Sequence, residues 1–337
     1  MADVKVLVVD DSLTMRVLIS GALERIKGVC VVGAADGAAE AREMVQKYRP
    51  EVMTLDVEMP GMSGLDYLAE IMEERPMPVI MFSTRTAAGA ADSIEALRLG
   101  AIDCFPKPKV AVQSELDAII SRLGKRIKSA RNAHLKRTIA GTAAPVRKMP
   151  PAPIDWNGRL LAIGADAANT QALFDLFQDF PANGPPTLVV QQMSAGLLTP
   201  MIEQLRERIA PRLVEATDGM AIEQGTIYFA PQGETHMVVD RWPEGTIRLL
   251  AREPVSGERP SISLLFASVA KAAGINGLGV LLALDEEDGA AGLRAMLAGG
   301  AYAIGRNEGQ FILSRGAVSQ PVAPDAMAAN ILKLCKR

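Results

Sequence analysis

The sequence has few cysteines, few histidines and few aromatic residues, and each shortage limits what the protein can be. Its 337 residues include three cysteines and two histidines, and 4% are aromatic. The cysteines lie far apart, with neither a Cys-x-x-Cys pair nor a mixed Cys/His cluster, so the sequence predicts no disulfide framework and no zinc site. This cysteine usage fits a reducing compartment, and we expect the protein in the cytoplasm.

The sequence also lacks a strong excess of charge and a long hydrophobic run. Its formal net charge is -3, which gives no argument for a nucleic-acid partner. Apolar runs such as GVLLAL at 279–284 are far shorter than the roughly 20 residues that a membrane helix needs, and no secretion leader is expected. We therefore predict a protein that is not embedded in a membrane and does not bind nucleic acid.

The order of apolar runs predicts two α/β domains. In residues 1–128, short strand-like runs alternate with amphipathic helical segments, which is typical of a doubly wound parallel sheet. Residues 129–156 are predicted to be a helix end and a linker, because their Pro/Ala-rich part cannot hold regular structure. Residues 157–337 alternate again and predict a second doubly wound parallel-sheet domain. TIYFAP, HMVVD and TIRLLA are expected to form an inserted set of antiparallel β-hairpins around WPEG.

The last helix predicted for the first domain carries most of the local basic charge. Apolar residues recur at helical spacing from Leu116 to Ile127, and basic residues fill the positions between them. A solvated basic face explains this pattern. The alternative, nucleic-acid binding, would require a recognition helix or aromatic platforms, and neither is visible.

Polar residues end the strands predicted for the first domain. Asp10 and Asp11 follow the first strand, and Asp56 ends the third. Because the carboxyl ends of parallel strands meet at one edge of a sheet, these carboxylates should lie close together and repel one another unless a cation is bound. Oxygen ligands with room for water favour Mg²⁺. Ser83 and Lys107 end the next two strands and could bind a phosphoryl group, although each residue alone is equally well explained as a turn residue.

The segments VLVVDDS, LDVEMPGMSGLDYL, FST and the Lys-Pro of DCFPKP resemble the receiver domain of response regulators, which has a flavodoxin-like fold. The resemblance implies that Asp56 accepts phosphate from a histidine kinase. It also implies a Mg²⁺ ligand set of Asp10, Asp11, Asp56 and the backbone of Glu58, and a phosphoryl-binding pair of Ser83 and Lys107. One departure is Cys104, which stands where the family usually has an aromatic side chain that turns inward on phosphorylation.

In the second domain, RLLAIGADAANT at 159–170 predicts a strand that ends in a tight turn before a helix. This segment, LVVQQM, GTIYFAPQG, ERPSISLLF and EEDGAAGL resemble the protein-glutamate methylesterases of chemotaxis, in which a receiver precedes an esterase and deamidase domain. The family's nucleophilic serine, its histidine and its aspartate would fall on Asp166, Gln192 and Asp288. Only the aspartate is retained.

These substitutions remove the groups that ester hydrolysis by this route requires. The route needs a hydroxyl that can lose its proton to a neighbouring imidazole, but Asp166 has no hydroxyl and Gln192 is not a base. In serine hydrolases, loss of the serine or the histidine lowers turnover by about 10⁶-fold. The family's turn glycines are also replaced by Ala168 and Asn169. Its oxyanion segment Gly-Met-Gly is replaced by Leu284, Asp285 and Glu286, which add bulk and negative charge.

Asp166 has three interpretations. The first is a helix N-cap, which needs nothing beyond its position before the predicted helix. The second is a covalent aspartate nucleophile, and the third is a ligand of a divalent cation shared with the acids of 285–288. Neither histidine, His134 or His236, obviously replaces the missing base. If Asp166 and the acids of 285–288 lie together at the opening of the site, we hypothesise that their negative charge disfavours binding of the acidic methylation helices of receptors.

The sequence thus predicts a phosphorylation-dependent chemotaxis response regulator with a histidine kinase as phosphodonor. Its second domain is expected to be non-catalytic and to act as a binding module gated by phosphorylation. Alternatively, the protein serves as a phosphate sink, in which the receiver draws phosphate from a shared kinase. The alternative is an active protein-glutamate methylesterase and protein-glutamine deamidase that acts on methyl-accepting chemoreceptors.

Overall fold

The computed structural model describes residues 3–84, 87–107, 123–124, 126–127, 151–194, 196–283, 287–306 and 316–337. The chain forms two compact units, residues 1–142 and 143–337. Most of the predicted linker lies outside the described residues, so the boundaries at 128 and 157 stay predictions. None of the described helices combines the length and the apolar content that a membrane crossing requires.

The first unit is a five-stranded parallel sheet with helices between its strands. The strands are β1 Val4–Val9, β2 Val29–Ala35, β3 Val52–Asp56, β4 Val79–Ser83 and β5 Asp103–Pro106, and the helices are α1 Leu13–Leu23, α2 Ala38–Tyr48, α3 Gly64–Glu74 and α4 Ala87–Leu99. The strand order β2-β1-β3-β4-β5 is that of flavodoxin-like folds, as predicted. Of the predicted last helix, Leu123 and Ile127 are helical and buried in the core of the unit, and its other apolar positions lie outside the described residues.

A close backbone contact fixes the loop after β3. Gly64, the first residue of α3, donates its backbone N–H to the carbonyl oxygen of Val57 at 2.8 Å. A Cβ atom at Gly64 would lie 1.9 Å from the carbonyl oxygen of Asp56, so a side chain cannot fit there. The Pro-Gly-Met-Ser-Gly segment therefore holds α3 against the carboxyl end of β3, and this contact positions Asp56.

The second unit is a larger parallel sheet. Its strands are β6 Leu160–Asp166, β7 Thr187–Gln192, β8 Arg212–Glu215, β9 Thr226–Phe229, β12 Gly277–Leu281, β13 Tyr302–Arg306 and β14 Gln320–Val322. Its helices are α5 Thr170–Gln178, α6 Leu198–Arg206, α7 Ile262–Ala273, α8 Glu287–Ala298 and α9 Met327–Cys335. Among the described residues, the sheet order is β14-β13-β12-β6-β7-β9-β8. Two doubly wound parallel sheets thus confirm the predicted fold class.

The antiparallel insertion is also confirmed, but one of its predicted strands was assigned wrongly. Strands β10 Thr235–Val239 and β11 Ile247–Ala251 form a single antiparallel hairpin. The TIYF segment instead forms β9, which pairs in parallel with β7 and β8 in the main sheet. All four residues of β9 are buried, which is typical of a strand inside a parallel sheet with both faces covered.

Candidate functional site

The three acidic residues predicted at the carboxyl edge of the first sheet do lie together. Asp10 directly follows β1, Asp56 is the last residue of β3, and these strands are parallel neighbours. One carboxylate oxygen each of Asp10, Asp11 and Asp56 lies within 4.8 Å of the others. Asp10 and Asp56 are each 1% exposed, whereas Asp11 is exposed. Two carboxylates are thus removed from water beside a third that faces it.

Lys107, which follows β5, supplies the positive charge. Its Nζ donates to Asp56 Oδ2 at 2.6 Å and lies 3.6 Å from Asp10 Oδ2. The other Asp56 oxygen accepts the backbone N–H of Glu58 at 3.3 Å, which places that backbone at the site. Asp10 Oδ1 accepts the backbone N–H of Ser12 at 2.9 Å. Asp10 Oδ2 is buried and accepts no hydrogen bond within the described part of the chain.

Burial dominates the electrostatics of this cluster. It raises the pKa of Asp56 to about 6, although the hydrogen bond from Lys107 acts in the opposite direction. Burial also raises the pKa of Asp10, against the lowering effects of the Ser12 hydrogen bond and the Lys107 charge. For Lys107, burial lowers the pKa, but the hydrogen bond to Asp56 and the nearby acids outweigh it and the pKa is raised. One ammonium therefore compensates the buried carboxylates only in part.

The carboxylate oxygens of this cluster are suitable ligands for a divalent cation that prefers oxygen. The cluster offers carboxylate oxygens on a half-open edge. One of them, Asp10 Oδ2, is buried 3.6 Å from the Lys107 ammonium and accepts no hydrogen bond from the described residues. A buried carboxylate oxygen without a donor is costly unless a cation approaches it. Mg²⁺ binds a few such oxygens and keeps several of its waters. The exposed Asp11 leaves this edge open to those waters.

Ser83 lies at the predicted edge, but its hydroxyl has a partner that the sequence did not indicate. Ser83 is the last residue of β4 and is 5% exposed. Its Oγ lies 2.8 Å from Oγ of Ser93, a fully buried residue of α4. Ser93 lies in no motif of the sequence, so this contact was not predicted. Cys104 is also buried, and its Sγ lies 3.3 Å from the carbonyl oxygen of Ser93.

In the second unit, the three positions implied by the resemblance gather at the carboxyl edge of the sheet. Asp166 ends β6 and Gln192 ends β7, and the two residues are partners in the parallel register. Asp288 follows β12, the neighbour of β6 on its other side. The strand order reverses beside β6, which is where ligands of open α/β sheets bind. Asp166, Gln192 and Asp288 are nevertheless only 9%, 4% and 3% exposed.

Asp166 caps the short helical turn that follows it, as the first of its interpretations predicted. Its Oδ1 accepts the backbone N–H of Asn169 at 3.1 Å and the side-chain Nδ2 of Asn169 at 2.6 Å. The side-chain oxygen of Asn169, Oδ1, accepts in turn from the guanidinium of Arg306, at the end of β13. Within the described residues, Asp166 belongs to no group of three metal-binding side chains. The acids at 285 and 286 and the side chain of Glu287 lie outside these residues.

Asp288 accepts four hydrogen bonds, and Gln192 supplies one of them. Gln192 Nε2 donates to Asp288 Oδ2 at 2.8 Å. Ser261 Oγ donates to Asp288 Oδ1 at 2.9 Å. The remaining two donors are the backbone N–H groups that open α7, Ile262 to Oδ2 at 2.7 Å and Ser263 to Oδ1 at 2.9 Å. A carboxylate has about four acceptor positions, so Asp288 is saturated by the protein itself.

His236 belongs to the same network, and both of its ring nitrogens are occupied. Nδ1 accepts the backbone N–H of Ser261 at 3.1 Å, so Nε2 carries the proton and donates to the carbonyl oxygen of Glu253 at 3.1 Å. The imidazole is fully buried. It has no nitrogen left to act as a base, and His134 lies outside the described residues.

The sequence did not reveal Asn169 and Arg306 beside Asp166, or the donors that surround Asp288. ERPSISLLF carries part of the family resemblance, and its Ser261 caps α7. Its second role, as a donor to Asp288, depends on a contact between residues 27 positions apart. The Asp-Gly pair of EEDGAAGL gave a partial signal. Gly289 has φ 103°, which favours glycine, and donates its N–H to Ser263 Oγ at 2.7 Å.

Comparison with known proteins covers both units. The model of the response regulator receiver domain matches residues 6–120, and that of the CheB methylesterase matches residues 161–329. The chain is 41% identical to a protein-glutamate methylesterase/protein-glutamine glutaminase 1 of Caulobacter vibrioides, across 99% of this chain and 98% of that protein. It is 42% identical to the protein-glutamate methylesterase/protein-glutamine glutaminase of Rhizobium etli, across 99% and 97%. The CheB methylesterase catalytic domain of Thermotoga maritima aligns with a TM-score of 0.50 at 20% identity, across 52% of this chain and 98% of that structure. At this identity the likeness shows the fold of the second unit.

Proposed function

The chain belongs to the CheB methylesterase family with an N-terminal response regulator receiver domain, and we propose that phosphorylation of Asp56 regulates a second domain that has lost hydrolysis. The expected phosphodonor is a chemotaxis histidine kinase, and methyl-accepting chemoreceptors are the expected further partners. The saturated hydrogen-bond network around Asp288 carries the second half of this proposal. Among the described residues, the hydroxyl beside Asp288 is that of Ser261, which donates to the carboxylate, and the imidazole in this network is that of His236, whose two ring nitrogens are both occupied.

Phosphorylation of Asp56 is supported by the geometry of the acidic cluster. A carboxylate oxygen of Asp56 would attack the phosphorus of a phosphohistidine, forming an acyl phosphate while the imidazole nitrogen leaves. Lys107, 2.6 Å from Asp56, can bind an oxygen of the incoming group, and Ser83 at the end of β4 can donate a hydrogen bond to another. A Mg²⁺ held by Asp10, Asp11, Asp56 and the backbone of Glu58 would neutralise charge that one lysine cannot balance.

The second domain holds its former catalytic positions in structural roles. Asp166 caps a helical turn, and its carboxylate is engaged by Asn169. Gln192 donates to Asp288, as the N–H of a histidine would, but an amide cannot then accept a proton as a general base. Each of the three residues is at least nine-tenths buried, so none of the three offers an ester an exposed nucleophile.

Two non-catalytic outputs remain for such a protein. The second domain can act as a binding module that is covered or uncovered as Asp56 is phosphorylated. Alternatively, the receiver can draw phosphate from a kinase that is shared with other regulators. The relatives favour a different function, because the proteins of Caulobacter vibrioides and Rhizobium etli are named as methylesterases and glutaminases. An active enzyme is therefore the second candidate.

Methanol release separates the two candidates for the second domain. Receptor membranes that carry labelled methyl esters would be incubated with the full chain, with and without a phosphodonor, and Asp166→Asn would serve as the matched variant. We expect no release above background from either protein. Release by the unaltered chain that Asp166→Asn abolishes would refute a non-catalytic second domain.

The receiver is tested separately with acetyl phosphate and Mg²⁺. We expect one phosphoryl group per chain, located on Asp56 by mass spectrometry, and no uptake by Asp56→Asn. Asp36→Asn is a suitable control, because it removes an exposed acid that lies outside the cluster. Uptake that survives Asp56→Asn, or no uptake by the unaltered chain, would contradict the proposal for this domain.

A further inference from the structure

We propose that Ser93 is a positioning residue for phosphoryl binding, because it takes the only proton of the Ser83 hydroxyl while Asp56 is unmodified. This inference rests on the proposed phosphorylation of Asp56 and adds a residue of α4 to it. The Oγ atoms of Ser83 and Ser93 are 2.8 Å apart in a buried contact.

Proton accounting fixes the direction of this hydrogen bond. Each hydroxyl has one proton and can accept through two lone pairs. Ser93 Oγ lies 2.7 Å from the carbonyl oxygen of Gly89, a group that can only accept, so the Ser93 proton points there. The proton between the two serines therefore belongs to Ser83, which donates to Ser93.

The same proton is needed for binding of a phosphoryl group. Phosphoryl oxygens at an acyl phosphate are acceptors, so Ser83 binds one only by donating its hydroxyl proton. Ser83 cannot donate this one proton fully to Ser93 and to a phosphoryl oxygen at once. Binding therefore breaks the bond to Ser93, and the fully buried Ser93 Oγ loses its donor.

Ser93 also contacts β5, through its backbone carbonyl oxygen. The thiol of Cys104 lies 3.3 Å from the Ser93 carbonyl oxygen, and burial holds the pKa of this thiol well above its usual range, so it stays a donor. Cys104 stands where receivers usually carry an aromatic residue. Ser93 of α4 therefore contacts both the hydroxyl of Ser83 on β4 and the thiol of Cys104 on β5.

The test is calorimetric titration of the full chain with beryllofluoride in the presence of Mg²⁺, since beryllofluoride mimics a phosphoryl group on an aspartate. Ser93→Ala removes the competing acceptor, and we expect binding about fivefold tighter, the ratio that corresponds to one neutral hydrogen bond of ~1 kcal/mol. Ser93→Cys replaces the hydroxyl with a thiol, a weaker acceptor, and should give an intermediate gain. It also provides a second variant if Ser93→Ala folds poorly.

Two controls distinguish positioning from packing. In the Ser83→Ala background, Ser93→Ala should no longer change the affinity, because the competing proton is gone. Ser20→Ala should leave the affinity unchanged, since Ser20 Oγ is a buried receiver hydroxyl with no partner among the described residues. An equal effect of Ser93→Ala in both backgrounds, or no gain at all, would overturn the role of Ser93. A full chain that binds no beryllofluoride would instead contradict the proposed phosphorylation, and this inference with it.

Discussion

The two domains place buried carboxylates at the same edge of the same kind of sheet, but the carboxylates differ in how many hydrogen bonds they accept. In the receiver, Asp56 accepts two, and Asp10 accepts one with its second oxygen left without a donor. In the second domain, Asp288 accepts four, all from its own chain. The carboxylates of the first edge accept fewer hydrogen bonds than they could, whereas Asp288 at the second edge accepts as many as a carboxylate can.

This difference is what we expect between a site that binds a ligand and one that has a structural role. A buried carboxylate without enough donors gains free energy when a cation or a phosphoryl group arrives, because burial has already removed its water. A saturated carboxylate gains little and stabilises the elements that supply its donors. At Asp288 these donors include the opening N–H groups of α7, where negative charge is also favoured by the helix dipole.

The largest expected effect comes from reversing the change at the second edge. In the variant Asp166→Ser with Gln192→His, the nucleophile and the base return, and the new imidazole can donate to Asp288 as Gln192 does. We expect methyl-ester hydrolysis about 10³-fold above the unaltered chain. The triad contributes about 10⁶, and a missing oxyanion donor removes about 10² to 10³ of that. Methanol release from methylated receptor membranes measures the gain.

The single variants Asp166→Ser and Gln192→His serve as controls, and each should stay near background because the two groups act as a unit. A double variant as inactive as either single one would mean that the saturated edge, or the segment at 284–286, blocks the site irrespective of the triad.

Loss of Asp288 should have the next largest effect. Asp288→Ala leaves the N–H groups of Ile262, Ser263 and Gln192 without their acceptor, and we expect the second domain to lose about 3 kcal/mol of unfolding free energy. Both tryptophans, Trp156 and Trp242, lie in the second compact unit, residues 143–337, so denaturant unfolding followed by tryptophan fluorescence reports on that unit specifically. Asp288→Asn retains one accepting oxygen and should lose less. Unchanged stability in both variants would refute the structural role.

Mg²⁺ should stabilise the receiver by a smaller amount. At a concentration ten times its dissociation constant, the cation is expected to add about 1.4 kcal/mol to the free energy of opening of the receiver. Hydrogen exchange of peptides that cover β1 and β3 measures this protection. Asp10→Asn should abolish it, whereas Asp36→Asn should retain it. Protection that is equal in both variants would place the cation elsewhere.

The smallest effect concerns the cap at Asp166. Asp166→Ala removes the acceptor for Asn169 and should lower the unfolding free energy of the second domain by about 1 kcal/mol, while Asp166→Asn, also a good cap, should cost only a few tenths. Tryptophan fluorescence again reports the transition. A stability gain in Asp166→Ala would indicate that the carboxylate is strained at this position, as a retained functional group would be.

The receiver edge was largely predictable because each of its residues ends or follows a strand. Asp10, Asp56 and Lys107 needed only the strand pattern and the rule that parallel strands share a carboxyl edge. The hairpin was predicted less well. The pattern of TIYF suits a strand of any kind, and pairing with β7 and β8 was decided by burial of both its faces.

The sequence by itself determined which atoms are present at each edge. Asp166 offers no hydroxyl, Gln192 offers no base, and the receiver keeps its acids, its serine and its lysine. Tertiary structure alone decided how these groups are satisfied, because the donors come from distant positions in the chain. Ser93 reaches Ser83 from α4, and Ser261 reaches Asp288 from the start of α7. Such contacts depend on how helices pack against strand ends to within a few tenths of an ångström, and residue order does not specify that distance.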